Sequence, residues 1–260
     1  MFTVRLQGGL GNMMFQIAWA EYASQKYGIG VCYANLEEQF DTISKLPRSP
    51  HARDYLTIFS NFNWYKNKEH WDDSYIPKYV PFHYTDIIPQ DGIEYRGYFQ
   101  SEMFFESDEQ FICKLFEPNH AIIQYCIDNR DYWSSCFIHV RRADYLKIPD
   151  FHPNLSADYY FNAIDIMREK GVDDFTVFSD DIEWCKKAFK GCGFKFISDI
   201  DYKELFLMVY CDYAILSNSS FAWWGAYLGG KIYAIAPKKW LGDACKDDQR
   251  NIIPPDWHTL

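Results

Sequence analysis

The chain has 260 residues, which is enough for one large domain or two compact ones. Its 26 basic and 36 acidic residues give a net charge of −10, which argues against non-specific attraction to phosphates and predicts no nucleic-acid partner. A content of 48% hydrophobic and 24% charged residues excludes a disordered or fibrous protein.

The first part of the chain predicts one β-loop-α-β unit, followed by a segment without clear periodicity. The unit comprises a strand at 2–6, a glycine loop at 8–11, a helix at 12–27 and a strand at 30–34. Residues 36–95 carry five prolines and many aromatic residues, a composition that fits helices, loops or both. Residues 108–129 show a helical pattern again.

From residue 134 onward, short apolar runs alternate with helical patterns, which indicates a doubly wound α/β sheet. We therefore predict a domain boundary near residue 133. The expected strands lie at 136–140, 175–178, 194–197, 213–216 and 231–235. The expected helices start after Ser156 and end near Gly171, cover 182–190, start at Asp201 in a capping-box-like pattern with Glu204, and cover 221–228.

Neither a membrane span nor a secretory signal is predicted. The longest uncharged stretch, 213–230, contains four consecutive polar residues and three glycines, so we expect buried core there. Residues 1–6 lack a basic region followed by an apolar run. The eight cysteines are scattered without a Cys-x-x-Cys pair, which favours free thiols in a reducing cytosol over a zinc site.

Chemically distinctive residues follow the predicted strands of the second part. Ligands of an open parallel sheet bind beyond the carboxyl ends of its strands, so these loops are expected to share one edge. They contain Arg141, Arg142 and Asp144, then Ser179, Asp180 and Asp181, then Asp199 and Asp201, and finally Ser217, Asn218, Ser219 and Ser220.

Two consecutive arginines point to a diphosphate, since they offer up to ten N–H donors and two permanent charges. The alternative is that one arginine forms a salt bridge with Asp144 and the other lies in solvent. Ser219 and Ser220 precede a predicted helix, whose first amides would support an anion. The simpler alternative for these serines is an ordinary N-cap.

The glycine loop does not fit a nicotinamide cofactor or a P-loop. With Gly9 and Gly11 placed on the dinucleotide template, Met14 stands at the third glycine and Asn35 stands where an acidic residue is expected. No Gly-Lys-Ser/Thr follows the loop. We expect instead that the glycines let a ligand approach the backbone closely.

The acidic pairs have three explanations. Two carboxylates at a strand end can hold a divalent cation, accept hydrogen bonds from the N1 and N2 edge of guanine, or cap a helix. Because two arginines already meet the diphosphate charge, base recognition is favoured for Asp180 or Asp181. Asp199 and Asp201 remain the candidate metal ligands of a metal-dependent alternative.

Four motifs, in this order along nearly the whole chain, resemble those of the α-1,2-fucosyltransferases of glycosyltransferase family 11. They are Gly8-Gly9-Leu10-Gly11-Asn12-Met13-Met14-Phe15-Gln16, His139-Val140-Arg141-Arg142-Ala143-Asp144-Tyr145, Phe178-Ser179-Asp180-Asp181, and Ser217-Asn218-Ser219-Ser220-Phe221-Ala222-Trp223-Trp224-Gly225-Ala226. Two departures stand out, because Met13 replaces the usual Gln and Ala143 the usual Gly.

The resemblance implies an α/β fold of the GT-B type, with two Rossmann-like halves of mostly parallel sheets facing a cleft. Residues 1–133 would form the acceptor-side domain and residues 134–260 the donor domain. It implies an inverting, metal-independent enzyme without a cofactor, which transfers L-fucose from GDP-β-L-fucose to the 2-hydroxyl of a terminal galactose. The acceptor would be an oligosaccharide or a lipid-linked glycan.

The resemblance also implies roles for individual residues. Arg141 and Arg142 would neutralise the diphosphate, and His139 would line the donor site. From its place beside the arginines, Asp144 is our candidate general base, with His139 as the second choice. Asp144 could equally serve only to orient Arg142. The remaining donor-binding residues would be Gly9, Gly11, Asn12, Asp180, Asp181, Asn218, Ser219, Ser220 and Phe221.

Two rival functions stay open from the sequence: a metal-dependent nucleotide-sugar transferase and a GDP-sugar-binding protein without turnover. A cytoplasmic location with transient membrane contact is expected. Trp223 and Trp224 are expected in the core. The aromatic residues of the unassigned segment are expected to be mostly buried, with stacking on acceptor sugars as the alternative: Tyr55, Trp64, Tyr65, Trp71 and Tyr84.

Overall fold

A computed structural model describes residues 1–45, 49–72 and 74–260. The chain forms two compact units, and each includes a piece of the C-terminal segment. The first comprises Met1–Asn119 and Asp247–Pro254, and the second comprises His120–Lys246 and Pro255–Leu260. The domain boundary expected near residue 133 stays a prediction.

The first unit contains a four-stranded sheet with helices. Its elements are β1 (Phe2–Val4), α1 (Leu10–Tyr27), β2 (Val31–Cys32), α2 (Leu36–Ser44), α3 (Tyr55–Ile58), β3 (Ile76–Tyr79), β4 (Ile93–Arg96) and α4 (Glu109–Leu115). The strand order is β2-β1-β4-β3, and every pairing is parallel. The expected strand-loop-helix-strand start of the chain is confirmed.

Helix α1 begins two residues earlier than expected, at Leu10. Gly9 is its N-cap, so Gly11 and Asn12 lie in the first helical turn and not in or at the end of a loop. Gly28 ends the helix in the left-handed conformation, with a φ of 67° that a residue without a Cβ adopts at no steric cost. The helix packs into the core through most of its length, and its Trp19 stacks on Phe99 with ring centroids 4.3 Å apart.

Residues 36–95 hold helices, loops and the two strands β3 and β4; positions 46–48 and 73 of this segment lie outside the described residues. Strand β3 is an edge strand whose four residues are all exposed, and it includes Pro77. It therefore lacks the alternation of apolar and polar residues that reveals a half-buried strand. Tyr55 and Trp64 are buried, whereas Tyr65 and Trp71 are exposed.

The second unit contains a six-stranded parallel sheet. Its elements are α5 (His120–Asp128), β5 (Cys136–Val140), α6 (Ala157–Glu169), β6 (Phe175–Ser179), α7 (Ile182–Ala188), β7 (Lys195–Ile197), α8 (Asp201–Val209), β8 (Tyr213–Ile215), α9 (Ser220–Tyr227), β9 (Tyr233–Ala236) and β10 (His258–Thr259). The strand order is β10-β9-β8-β5-β6-β7. From β5 the chain adds β6 and β7 on one side of the sheet and then β8 and β9 on the other. The strand order therefore reverses between β5 and β8, which is where such sheets bind ligands.

The core of the second unit explains why its strands were visible in the sequence. All five residues of β5 and all five of β6 are buried, as expected for strands covered on both faces. Ile138, Val177 and Ile215 of neighbouring strands belong to one apolar cluster with Tyr160 of α6. The predicted α/β class with parallel sheets is confirmed in both units.

The expected N-caps of α6 and α7 are confirmed, whereas the expected start of α8 is not. Ser156 and Asp181 are N-caps that accept hydrogen bonds from the backbone N–H groups of Tyr159 and Trp184. The capping box with Asp201 as N-cap is wrong, because Ile200 occupies the N-cap position of α8. Glu204 instead accepts a hydrogen bond from the backbone N–H of Asp199 at 2.7 Å.

The expected helical region at 108–129 is two helices, α4 and α5, with Pro118 between them. The uncharged stretch 213–230 lies mostly in the core, where Trp223 and Trp224 are fully buried. Within the described part of the chain, no helix has both the length and the apolar character needed to cross a membrane. All eight cysteines are free thiols, and five of them are buried.

Candidate functional site

The loops after β5, β6 and β8 meet at the carboxyl edge of the second unit's sheet. Strand β5 lies between β6 and β8, with His139 in register with Phe178. The Nδ1 atom of His139 lies 2.7 Å from Ser217 Oγ, a hydrogen bond that crosses from β5 to the loop after β8. The sequence prediction that these loops share one edge is confirmed.

His139 is held in the neutral state. Its side chain is buried, and burial together with the nearby Arg141 lowers its pKa to about 3. The imidazole therefore carries no charge at neutral pH and accepts a proton poorly. Its contacts with Ser217 and with the ring of Phe221, at 5.7 Å between centroids, make it part of the wall of this edge.

Arg141 forms ion pairs with two carboxylates. Its Nε and Nη2 atoms donate to Oδ1 and Oδ2 of Asp144 at 2.9 and 3.0 Å, a bidentate pair. Its Nε also lies 3.1 Å from Asp180 Oδ2, at an angle that makes an ion pair and no hydrogen bond. Burial opposes the charge of Arg141, but Asp180 and Asp144 outweigh it and raise its pKa. Asp144 therefore orients Arg141, whereas the sequence suggested that it orients Arg142.

Arg142 is fixed by a carboxylate and an aromatic ring. Its Nε lies 3.3 Å from Asp181 Oδ2, and its guanidinium carbon sits 4.1 Å from the ring centre of Trp184. Its backbone N–H donates to Asp180 Oδ1 at 2.9 Å. Of the alternative offered by the sequence, the salt bridge with Asp144 is present at Arg141. The arginine in solvent is not, because the Arg141 and Arg142 side chains are only 14% and 16% exposed.

The two members of the acidic pair differ in what remains accessible. Asp180 is 11% exposed, and its two oxygens face Arg142 N–H and Arg141 Nε. Asp181 is 32% exposed and uses one oxygen to cap α7 and the other to contact Arg142. Of the two carboxylates, Asp181 is the one with surface left for a further partner.

The serine loop is tied to two other segments through Asn218. Its Nδ2 donates to the carbonyls of Pro153 and Trp240 at 3.1 and 3.0 Å, and its carbonyl accepts from Tyr145 Oη at 3.0 Å. Its buried Oδ1 has no hydrogen-bond partner among the described residues. The hydrogen bonds of Asn218 therefore fix the conformation of this loop.

The residues that follow Asn218 start helix α9. Ser219 occupies the N-cap position without a side-chain capping hydrogen bond, so the simple N-cap explanation fails for its hydroxyl. Ser220 is the first helical residue, and Phe221, half-buried, faces His139. The first amides of an eight-residue helix thus lie at the same edge as the two arginines.

The glycine loop of the first unit follows β1 and is described by itself. Gly8 has a φ of +80°, and the carbonyl of Gly9 accepts from the N–H groups of Asn12 and Met13 at 3.0 and 3.1 Å. The Asn12 side chain accepts a hydrogen bond at Oδ1 from Gln100 Nε2 at 2.8 Å.

Three further carboxamide side chains brace the backbone of this loop. Asn35 pairs with both the N–H and the carbonyl of Leu6, each at 2.8 Å. Gln16 accepts from Gln7 N–H at 3.0 Å and donates to the carbonyl of Gly97 at 3.1 Å. Gln39 donates to the carbonyl of Gly8 at 2.7 Å.

Sequence reasoning missed several of these contributors. Gln100, Gln39 and the bracing role of Asn35 carry no local signal, because their contacts depend on distant segments. Tyr145 ended one recognised motif and Trp184 lay three residues after another. An aromatic residue near an arginine pair is a usable sign of a cation–π contact.

The acidic residues after β7 already accept hydrogen bonds from protein groups. Tyr125 Oη donates to Asp199 Oδ2 at 2.5 Å, and the N–H of Ile200 donates to Asp199 Oδ1 at 2.7 Å. Asp201 Oδ1 accepts from Tyr202 N–H at 2.8 Å. Across residues 1–45, 49–72 and 74–260, no cluster of three or more His, Cys, Asp or Glu side chains is arranged to bind a metal ion.

Comparison with known proteins gives a family and a fold. The family model described as Glycosyl transferase family 11 matches residues 1–260. The chain is 28% identical to an alpha-1,2-colitosyltransferase of Escherichia coli, over 92% of each chain. It is 26% identical to the mouse galactoside 2-alpha-L-fucosyltransferase Sec1, over 88% of this chain and 65% of the relative.

Among solved structures, the chain resembles the NodZ alpha-1,6-fucosyltransferase of Bradyrhizobium in a crystal soaked with GDP-fucose. The TM-score is 0.53 at 11% identity, with 87% of this chain and 92% of that chain covered. At that identity the likeness concerns the fold alone, which is GT-B-like.

Proposed function

The chain belongs to glycosyl transferase family 11, and from that premise we propose that it transfers L-fucose from GDP-β-L-fucose to the 2-hydroxyl of a terminal galactose. The product would be an α-1,2 linkage, formed with inversion at the anomeric carbon. A galactoside 2-alpha-L-fucosyltransferase and an alpha-1,2-colitosyltransferase among the relatives support the linkage and the kind of sugar.

One observation carries the proposal. Arg141 and Arg142 lie side by side, positioned by carboxylates, at the point where the strand order of the second unit's sheet reverses. Breaking the anomeric bond leaves negative charge on the GDP diphosphate and positive charge on the sugar. Fixed cations at the leaving group lower the energy of that transition state without reorganising. The bonds of Arg141 to Asp144 use Nε and Nη2, so Nη1 takes no part in them.

The other residues would complete the donor site. The first amides of α9, with Ser219 and Ser220, would bind phosphate oxygens, and Phe221 and His139 would pack against the donor. Asp181 is our choice for the guanine edge, because Asp180 faces the two arginines. In the first unit, Gly9, Gly11 and Asn12 would approach the phosphate or the fucose.

Neither candidate for the general base is well suited to that role. Asp144 is the candidate from the sequence, but both of its oxygens hold Arg141. This arrangement favours an orienting role for Asp144. His139, with its low pKa, is a poor base. We propose a loose transition state in which the acceptor hydroxyl loses its proton late and needs little assistance.

Transfer of colitose is the second candidate, because an alpha-1,2-colitosyltransferase is a relative over nearly the full chain. Colitose is L-fucose without its 3-hydroxyl, so the same arginines and the same nucleotide site would serve both donors. The difference would lie in a polar contact to the 3-hydroxyl, whose loss would leave a buried protein group unpaired when the smaller sugar binds.

We further propose that the reaction needs no metal or cofactor, since two arginines already meet the diphosphate charge. The proposed partners are GDP-fucose and a galactose-terminated oligosaccharide or lipid-linked glycan. The proposed location is the cytoplasm, with transient membrane contact when the acceptor is lipid-linked.

The test is incubation of the purified chain with GDP-fucose or GDP-colitose and a panel of galactose-terminated oligosaccharides, with and without excess EDTA. NMR of the product should show an α-1,2 linkage whose yield does not depend on EDTA. Activity that disappears in EDTA and returns with Mn²⁺ would establish the metal-dependent alternative. Tight GDP binding without any transfer would make the chain a binding protein.

A further inference from the structure

The segment after β4 in the first unit is held in an unusual backbone conformation. Phe99 is fully buried with a φ of +53°, a region that residues with a side chain rarely adopt. Its ring stacks on Trp19 at 4.3 Å and meets Phe104 edge-on at 5.2 Å. Such a conformation costs free energy and persists only where the surroundings enforce it, and it is typical of functional sites.

Gln100 follows Phe99 directly in this segment. Gln100 is 6% exposed, and its Nε2 atom donates to Asn12 Oδ1 at 2.8 Å. The two residues are 88 positions apart in the chain, so the contact depends on β1 and β4 lying side by side. The strained segment therefore contacts Asn12 through Gln100.

The bond fixes which end of the Asn12 amide faces which way. A side-chain amide has one acceptor oxygen and one donor nitrogen, so an oxygen that faces Gln100 turns the nitrogen to the opposite side. That nitrogen leans over Gly8, where a Cβ atom would lie only 2.2 Å from Asn12 Nδ2. The absence of a side chain at Gly8 therefore leaves the space that the Asn12 amide needs.

We propose that Gln100 is a positioning residue that orients the Asn12 amide so that it presents N–H donors to an oxygen of the sugar nucleotide. The inference rests on the proposed function, in which Asn12 approaches the phosphate or the fucose of the donor. The ligand group that Asn12 selects is then a hydrogen-bond acceptor, a phosphate oxygen or the lone pair of a sugar hydroxyl.

The test uses a substitution at residue 100 that reverses the orientation of the Asn12 side-chain amide. In Gln100→Glu the carboxylate cannot donate, so Asn12 must turn its nitrogen toward residue 100 and its oxygen toward the ligand. We expect the KM and the Kd for GDP-fucose to rise about tenfold or more with the acceptor KM unchanged, while burial of the new carboxylate lowers the melting temperature. Gln100→Leu removes the bond without reversing the amide, and its effect should be smaller.

A double-mutant cycle with Asn12→Ala separates positioning from a merely structural role. In the Asn12→Ala background, Gln100→Glu should change the donor KM less than about twofold, because no amide remains to be turned. Gln90→Glu places the same new charge on an exposed residue of the same unit and serves as the control.

A donor KM in Gln100→Glu equal to that of the wild type would overturn the inference. So would additive effects in the cycle, or a loss that raises the donor and acceptor KM values alike. In all three cases the proposed function would stand, provided that the wild-type chain transfers fucose. If the wild-type chain binds GDP-fucose without transfer, the proposed function fails and the Kd cycle still decides the role of Gln100. A wild-type chain that does not bind GDP-fucose at all would refute both.

Discussion

The two units hold the loops at the ends of their parallel strands with different chemistry. In the second unit, ion pairs of Arg141 and Arg142 with Asp144, Asp180 and Asp181 hold the loops after β5 and β6. The loop after β8 is instead held by a carboxamide, that of Asn218. In the first unit, the loop after β1 is braced by neutral carboxamides, those of Gln16, Asn35, Gln39 and Gln100.

The difference shows how each edge is suited to its task. A partly buried guanidinium needs nearby carboxylates to offset the cost of leaving water, and it keeps its charge for an anionic ligand. A carboxamide has donor and acceptor in one group, so it fixes backbone geometry and direction without charge. We expect charge stabilisation from the second unit and orientation from the first.

The largest expected effect comes from removing one charge of the second unit. Arg141→Ala should lower turnover by at least about 100-fold with the fold intact, because a fixed leaving-group cation is lost. Arg141→Lys should recover little, since lysine lacks the planar fork that Asp144 grips. Steady-state kinetics with circular dichroism would check both variants. Arg168→Ala, which removes an exposed arginine of the same unit, is the control, and normal turnover in Arg141→Ala would remove this residue from the mechanism.

A smaller loss is expected when the carboxylate between the arginines is neutralised. Asp180→Asn keeps an acceptor for Arg142 N–H but loses the charge beside Arg141, so kcat should fall about tenfold. Asp181→Asn should cost less turnover, because asparagine is also a good N-cap for α7. Kinetics of both variants beside Asp165→Asn, an exposed control, would test the order. Equal losses in Asp180→Asn and Asp181→Asn would contradict it.

Asn35 and Asn218 each hold a loop by side-chain hydrogen bonds, so their contributions to the free energy of unfolding can be compared between the two units. Asn35→Ala leaves the N–H and carbonyl of Leu6 unpaired, and Asn218→Ala does the same to two carbonyls. Each should lower the free energy of unfolding by about 1–3 kcal/mol and the melting temperature by roughly 2–8 °C. Asn61→Ala changes an exposed asparagine with hydrogen bonds of its own and should shift melting little. Calorimetry that showed equal shifts in all three variants would argue against the bracing role.

The smallest expected effect concerns His139, which should not titrate near neutral pH. A His139 pKa of about 3, below the usual value near 6.5, means that its contribution to stability is complete above pH 6.5 and is lost as the pH falls toward 3. Between pH 7 and 8 the imidazole ¹⁵N shifts of His139, assigned with His139→Gln, should not move, and at pH 5 the ring should still be neutral. A titration midpoint near 6.5 would show that the ring is not enclosed by Ser217 and Phe221 as described.

The sequence predicted the fold well in the strands whose residues are all buried. Strands β5 and β6 are continuous apolar runs covered on both faces, and polar loops follow them directly, so the sequence predicted their bounds closely. Strand β3 was missed because an exposed edge strand with a proline has no apolar face. The capping box at α8 failed because Glu204 is buried and serves Asp199, one residue outside the helix cap.

The sequence by itself determined the class of the protein: alternating apolar and helical segments specify parallel α/β sheets, and the motifs at strand ends specify a family. Tertiary structure alone decided the partners from other segments, namely Asp180 with Arg141, Trp184 with Arg142 and Gln100 with Asn12. The physical reason is that periodicity and local motifs act over a few residues. A partner across strands, or a pKa set by burial as in His139, depends on which distant segments pack together.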